Sequence, residues 1–218
     1  MGKGKTLPIY SHRNQETLKK FYTSNESLIV WGSTSQIFQS TNISSENLSR
    51  RELELRTSDV LASTILNKQV EIQREANGRP YITGSSEKIS ISHTRSTLGV
   101  IINPHTPVAL DIETTNRNVG SVKQKFTTTG EIELVRKVHS DNPEILIWSC
   151  KECLFKILPF AAIHFKDQLT FNEAAQPNNN IDFATIWSVN HPNFKGVFLV
   201  NSFIFDDLLI SYIDTKPL

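Results

Sequence analysis

Three strand-like segments follow one another in the middle of the chain, and they restrict the folds open to it. Residues 89–92 alternate apolar and polar side chains with period two, and segments 98–102 and 108–112 are short and mostly apolar. Helical periods follow, and strand-like segments then return. Because strands and helices mix without a steady β-α-β alternation, the pattern predicts an α+β fold with mainly antiparallel sheets.

Further elements are predicted on both sides of these strands. Strands are expected at 28–31, 70–73, 184–189, 197–200 and 208–213. Helices are expected at 44–66, 120–126, 131–138 and from about 142 to 158. The last helix should begin with Asp141 as its cap, since a proline and a glutamate follow in the first turn. Asn77 and Gly78 predict a turn, and segment 176–180 a loop.

The composition is that of a globular chain with no overall charge preference. Of 218 residues, 38% are hydrophobic and 21% charged, and the formal net charge is +1. This balance gives no argument for nucleic acid or membrane as a partner. The length suits one large domain or two small halves, and two prolines between Asn103 and Pro107 indicate a boundary there.

Cys150 and Cys153 are the only cysteines, and their spacing would suit a redox pair or half a zinc site. A zinc site needs a second Cys or His pair at similar spacing, and the sequence has none. Because the flanking sequence is apolar and helical, we expect buried thiols. Two thiols without a signal peptide indicate the reducing cytoplasm, and segment 1–6 is expected to be a plain tail.

Two carboxylates stand two positions apart in the strand that begins at Val108. Alternate residues of a strand share a face, so Asp111 and Glu113 point one way while Leu110 and Ile112 point to the core. Two like charges repel unless a cation lies beside them, and hard oxygen ligands suit Mg²⁺. The alternative interpretation is a polar strand edge that faces solvent.

A second pattern lies about forty residues later, in the helix. Trp148, Glu152 and Lys156 are spaced four apart and therefore share one helix face. Glu152 and Lys156 could form an ordinary surface ion pair. A tryptophan on the same face argues against full exposure to solvent.

Two shorter motifs could bind an anion. His93 ends a strand whose neighbouring residues carry hydroxyls, and the turn at Gly78, Arg79 and Pro80 presents one cation. An ordinary surface histidine and simple turn chemistry are the alternatives.

The order and spacing of the four motifs resemble the 4′-phosphopantetheinyl transferase superfamily, most of all its long, single-chain type that activates surfactin synthetase. The family pattern is a Gly-Lys-Pro turn, an Ile-Ser-His-Ser strand, a Gly-(Val/Ile)-Asp-(Val/Ile)-Glu strand and a Trp-(Ser/Thr)-x-Lys-Glu-(Ala/Ser)-x-x-Lys helix. The similarity spans roughly residues 50–157, and the last two motifs are its specific part.

The resemblance implies a fold and a reaction. The fold would be two similar α+β halves, 1–104 and 105–218, related by a pseudo-twofold axis, with coenzyme A between them. The enzyme would transfer 4′-phosphopantetheine from coenzyme A to a serine of an apo acyl or peptidyl carrier protein, with Mg²⁺, releasing 3′,5′-ADP. A monomer is expected. A different Mg²⁺-dependent phosphoester enzyme and an inactive coenzyme A-binding module are the alternatives.

The resemblance also implies residue roles. It places Asp111, Glu113 and Glu152 at the Mg²⁺ site, with Glu152, Glu131 or a metal-bound water as the general base. Lys156 would lie near the pyrophosphate and the leaving group. The residues implied to bind the coenzyme are Arg56, Gly78, Arg79, Pro80, Ser92 and His93.

The chain departs from the family pattern at three places. Ala109 replaces the usual glycine before the acidic pair, and Arg79 replaces the lysine of the turn. A glycine-containing stretch that follows the last lysine in the family is absent after Lys156. This last departure concerns the expected contacts to the pantetheine arm and to the carrier protein.

Overall fold

The structure, a computed structural model, describes residues 18–39, 48–160, 162–177 and 180–218. The chain divides into two compact units, Met1–Val108 and Ala109–Leu218. The boundary expected from the prolines lies a few residues before this division. Both units combine helices with antiparallel strands, which agrees with the predicted α+β class.

In its described residues, the first unit contains a four-stranded antiparallel sheet, a two-stranded hairpin and two helices. Its elements are β1 (Leu18–Tyr22), β2 (Leu28–Ser33), α1 (Thr34–Gln39), α2 (Arg50–Leu66), β3 (Ile72–Arg74), β4 (Pro80–Ile82), β5 (Lys88–His93) and β6 (Thr97–Asn103). The sheet has the order β1-β2-β6-β5, and β3 pairs with β4. Helix α2 packs against β6 and β2, and apolar residues of both form the core, among them Leu61, Val100 and Val30.

Helix α2 begins at Arg50 because a complete capping box precedes it. The side chain of Ser49 accepts a hydrogen bond from the Glu52 amide, and the Glu52 carboxylate accepts one from the Ser49 amide at 2.8 Å. The helix ends at Asn67, which adopts a left-handed conformation with φ of 51°. The sequence predicted a start at residue 44, and positions 44–47 lie outside the described residues.

The second unit contains a five-stranded antiparallel sheet and four helices within its described residues. Its elements are β7 (Ala109–Thr114), α3 (Lys123–Phe126), α4 (Thr129–Arg136), α5 (Pro143–Ile157), α6 (Phe165–Gln168), β8 (Leu169–Ala175), β9 (Phe183–His191), β10 (Phe194–Phe205) and β11 (Leu208–Ile213). The order of the sheet is β7-β11-β10-β9-β8. Helix α5 packs against β7 and β11, so the edge strand β7 is covered by the longest helix of the unit.

Helix α5 begins one residue later than the sequence predicted. The side chain of Asn142 is the cap and accepts a hydrogen bond from the amide of Ile145, with Pro143 as the first helical residue. The expectation that Asp141 caps this helix is therefore wrong. The helix buries Cys150 and Cys153 completely, which confirms the prediction of buried free thiols.

Most predicted strands are present, with shifted ends. The predicted strand 70–73 lies at 72–74, and the helix predicted at 120–126 shortens to α3. Strands β1, β4 and β8 and helices α1 and α6 were not predicted, because these segments are short or lack a clear apolar period. Segment 1–6 and positions 178–179 of the predicted loop lie outside the described residues. No helix in the described ranges is both long and apolar enough to cross a membrane.

Candidate functional site

Asp111 and Glu113 lie on β7 and are buried, with 4% and 6% of their surface exposed. Strand β7 pairs with β11, so that Asp111 stands opposite Ser211 and Glu113 opposite Leu209. Ile112, between the two acids, is also buried, so both faces of the strand are covered. The acids therefore do not form a polar strand edge that faces solvent.

Helix α5 contacts both acids through the side chains that the sequence placed on one helix face. The indole nitrogen of Trp148 donates a hydrogen bond to Oε1 of Glu113 at 2.8 Å. Eight residues, or about two helical turns, after Trp148, Nζ of Lys156 donates a hydrogen bond to Oδ1 of Asp111 at 2.8 Å. The same ammonium also donates to the carbonyl of Leu110. The acidic strand pair and the helix stripe thus belong to one site.

Glu152 lies on α5 midway between Trp148 and Lys156, and its pKa depends on the charged groups around it. Burial and the charges of Asp111 and Glu113 together raise the pKa of Glu152 to about 7, against the opposing effects of Lys156 and Arg117. The carboxylates of Asp111, Glu113 and Glu152 therefore interact electrostatically. We call Asp111, Glu113 and Glu152 the acidic cluster.

A cation that the sequence did not predict, Arg117, also reaches the acidic cluster. The turn after β7, in which the amide of Arg117 donates to the carbonyl of Thr114, directs its guanidinium back to hydrogen-bond Oε1 of Glu113. The guanidinium also lies 5.4 Å from the centre of the Trp148 ring. Burial and the charge of Asp111 raise the pKa of Glu113, and the bond from Arg117 opposes that rise.

The donor atoms of the acidic cluster have the chemistry that Mg²⁺ prefers. Carboxylate oxygens are hard ligands, and two of the three acids come from a strand and one from a helix. In the described ranges, however, no set of three or more His, Cys, Asp or Glu side chains is arranged to hold a metal ion. Lys156 and Arg117 instead supply positive charge to Asp111 and Glu113.

Glu131, considered above as a base, forms a separate structural ion pair. Its Oε2 accepts hydrogen bonds from Nζ of the fully buried Lys151 at 2.7 Å and from the hydroxyl of Thr127, and its Oε1 accepts one from the amide of Phe171. Lys151 also donates to the carbonyls of Phe126 and Phe165. Both carboxylate oxygens of Glu131 thus connect α4 to α5 and β8, which favours Glu152 over Glu131 as the base.

The first unit has a pocket of its own with a volume of about 620 Å³. Three arginines, one histidine, one glutamate and one glycine line it, namely Arg50, Arg51, Arg74, His93, Glu54 and Gly78. Arg50 and Arg51 belong to the first turn of α2, and Arg74 ends β3. The excess of positive charge would suit an anionic ligand, and we call this pocket the anion pocket.

The pocket includes two of the six residues implied to bind the coenzyme. Gly78, with φ of 87°, forms the β3–β4 turn, and its carbonyl accepts a hydrogen bond from Arg74 at 2.8 Å. His93 ends β5 on the other side of the pocket. Among the residues that the structure describes, the pocket lining does not include the other four, namely Arg56, Arg79, Pro80 and Ser92.

The four residues outside the pocket have other positions. Arg56 is exposed on α2, and Ser92 is buried on β5. Arg79 lies in the β3–β4 turn, where burial lowers its pKa, and Pro80 begins β4. Arg50 and Arg51 were not singled out from the sequence, because which face of α2 lines the pocket depends on tertiary packing.

Comparison with known proteins gave no assignment. No protein-family model matches the chain, and no curated protein matches it.

Proposed function

We propose that this protein is a 4′-phosphopantetheinyl transferase, which moves the phosphopantetheine group of coenzyme A onto a serine of an apo acyl or peptidyl carrier protein. One observation carries the proposal. The acids of β7 and the Trp148, Glu152 and Lys156 face of α5, which are about forty residues apart in the sequence, meet in a single, partly buried cluster. The resemblance in sequence pattern motivates the reaction assigned to that cluster.

We propose that the acidic cluster also binds Mg²⁺, although no three His, Cys, Asp or Glu side chains of the described residues are arranged to hold a metal ion in this structure. When bound, this ion would neutralise the pyrophosphate of coenzyme A and the charge that develops as the phosphoanhydride bond of the pyrophosphate breaks. The raised pKa values of Glu113 and Glu152 support a cation here, because negative charges that repel one another in a buried place are stabilised by positive charge. Arg117 and Lys156 supply part of that charge.

Glu152 is the proposed general base. The serine oxygen of the carrier forms a bond to the β-phosphorus of coenzyme A, the bond from that phosphorus to 3′,5′-ADP breaks, and Glu152 receives the serine proton. A pKa of about 7 suits this task, because a base is most effective when its pKa lies near the working pH.

Lys156 is proposed to stabilise the departing 3′,5′-ADP. Its ammonium is already held at the cluster by Oδ1 of Asp111 and the carbonyl of Leu110, both at 2.8 Å. The charge of Asp111 raises the pKa of Lys156 in spite of its burial, so the side chain stays protonated and available to a developing anion.

The pocket of the first unit is proposed to bind phosphate groups of the coenzyme. Coenzyme A carries a 3′-phosphate and a pyrophosphate, and guanidinium groups bind phosphate oxygens in a bidentate way. Arg50, Arg51 and Arg74 supply three such groups in one pocket, and His93 adds a ring nitrogen. These residues extend the set that the resemblance implied.

The finer features of the fold and context are part of the same proposal. In each unit the longest helix covers strands of an antiparallel sheet, α2 on β6 and α5 on β7, which supports two similar halves related by a pseudo-twofold axis. A cytoplasmic monomer that uses coenzyme A and an acidic carrier protein is the corresponding expectation.

A transfer assay tests the proposed function. The purified chain is incubated with coenzyme A, Mg²⁺ and each of a panel of apo carrier proteins, and the carriers are then weighed by intact-mass spectrometry. We expect the mass of one phosphopantetheine group to be added to at least one carrier, and none without Mg²⁺. No added mass on any carrier would contradict the proposal, and release of ADP or phosphate from nucleotides alone would favour a different phosphoester enzyme.

A further inference from the structure

We propose that Glu54 is an internal competitor for the anion pocket of the first unit. Its carboxylate holds two of the basic side chains that would bind a phosphate group, so a phosphate ligand must displace it. The inference rests on the proposed function only for the identity of the natural ligand, since the competition itself concerns any phosphate anion that enters the pocket.

The geometry places Glu54 between the cations. Oε1 of Glu54 lies 3.0 Å from Nε of Arg50, one turn earlier on α2. Oε2 lies 3.5 Å from Nε2 of His93, which ends β5 and forms an ion pair with Glu54 only when its ring is protonated. The two carboxylate oxygens therefore connect the helix and the strand across the place where the basic side chains converge.

The contacts of Glu54 with Arg50 and His93 are weak enough for a ligand to replace them. The side chains of Arg50 and His93 are 68% and 46% exposed, so water screens both ion pairs with Glu54. A phosphate group brings up to two negative charges and several acceptor oxygens, against one charge on the carboxylate. It can also engage Arg51 and Arg74, which line the same pocket.

Glu54 thereby sets the affinity and the selectivity of the pocket. A ligand with one weakly charged group would gain little by replacing the carboxylate, whereas a ligand with two phosphate groups would gain contacts to several cations at once. We therefore expect the pocket to favour a nucleoside bisphosphate over a nucleoside monophosphate, and to bind both more tightly once the charge of Glu54 is removed.

The test is calorimetric titration of the full chain and its Glu54→Gln variant with 3′,5′-ADP and with 5′-AMP. Removing the repelling charge while keeping the side-chain shape should tighten 3′,5′-ADP binding roughly threefold to tenfold. Glu71→Gln, which removes an exposed acid of the same unit outside the pocket lining, is the matched control and should leave the affinity unchanged. Arg51→Ala should weaken binding.

Each outcome decides the inference. Unchanged or weaker 3′,5′-ADP binding in Glu54→Gln would overturn it, because Glu54 would then be neutral or would position the cations for the ligand. Binding that Arg51→Ala does not affect would also overturn it, since the ligand would then lie elsewhere. Tighter binding by Glu54→Gln in a chain that transfers nothing to any carrier would support the inference while contradicting the proposed transferase function.

Discussion

Asp111 and Glu113 each have a cationic side chain at bonding distance, which explains how a buried strand accommodates two acids. Lys156 reaches Asp111 from the helix, and Arg117 reaches Glu113 from the turn after the strand. A buried charge without such a partner would be strongly destabilising. These cations therefore stabilise the fold, and under the proposed function they would also stabilise a phosphate ligand.

Asp111→Asn tests the role of this carboxylate directly. The substitution removes one proposed metal ligand and the charge that holds Lys156, so we expect phosphopantetheine transfer to fall by roughly a hundredfold or more, which corresponds to about 2.7 kcal/mol in the barrier. Initial rates by mass spectrometry give the measurement. Asp206→Asn, at an exposed turn of the same unit, should keep full activity. Near-normal rates in Asp111→Asn would exclude Asp111 from the reaction.

Glu152→Gln should have opposite effects on activity and on stability. The pKa of Glu152 rises from 4.5 to about 7 on folding, so the folded chain binds more protons than the unfolded chain between these pH values. Stability from this group is therefore lost as pH rises from about 4.5 to about 7, and it changes no further above that range. We expect Glu152→Gln to be inactive, yet about 1 kcal/mol more stable than the parent at pH 8.

Urea unfolding at pH 8 and at pH 4 measures this effect without any transfer assay. The parent and Glu152→Gln should differ at pH 8 and coincide at pH 4, where the acid is protonated in both folded and unfolded chains. Equal stability at both pH values would show that burial does not shift the pKa of Glu152.

At the scale of elements, the start of α5 fixes which side chains of the helix face β7. Asn142 accepts a hydrogen bond from the amide of Ile145 and donates one to the carbonyl of Thr115, so one side chain both caps the helix and connects it to the turn after β7. Lys151 adds a second connection, to Glu131 on α4. Together these bonds hold the helix in the register that the site needs.

Asn142→Ala and Asp141→Ala form a matched pair that tests the cap. Loss of Asn142 removes both hydrogen bonds and should lower the free energy of unfolding by about 1–2 kcal/mol. Loss of the adjacent, exposed Asp141 should change it by less than about 0.5 kcal/mol. Urea denaturation measures both free energies of unfolding. An equal or larger effect of Asp141→Ala would show that Asp141, as the sequence predicted, caps the helix.

At the scale of the whole molecule, the two candidate sites belong to different units. The acidic cluster lies in Ala109–Leu218, and the anion pocket lies in Met1–Val108. The proposed function assigns the chemical step to the first and part of coenzyme binding to the second. Substitutions in the two units should therefore have different kinetic signatures.

Steady-state kinetics with coenzyme A as the varied substrate can show this division. Arg51→Ala should raise KM for coenzyme A by roughly tenfold with little change in kcat, because it removes a contact present before and during the reaction. Glu152→Gln should lower kcat with little change in KM. A lower kcat with unchanged KM in Arg51→Ala would place that arginine in the chemical step and contradict the division.

Local patterns determined much of this protein. The period-two segment gives β5, the apolar segments give β6 and β7, and the spacing of Trp148, Glu152 and Lys156 gives the face of α5 that contacts the two acids. These features depend only on residues close together in the sequence, so they can be predicted from the sequence. The turn at Gly78 is also predictable from the sequence, because glycine adopts a positive φ without steric cost.

Tertiary structure alone decided which charges meet. Arg117 returns to Glu113 through a turn, Glu131 pairs with Lys151 rather than with the acidic cluster, and Arg74 joins the first turn of α2 in one pocket. Each of these contacts depends on how separate elements pack and on the cost of burying an unpaired charge. That cost is a property of the folded environment, and no spacing in the sequence records it.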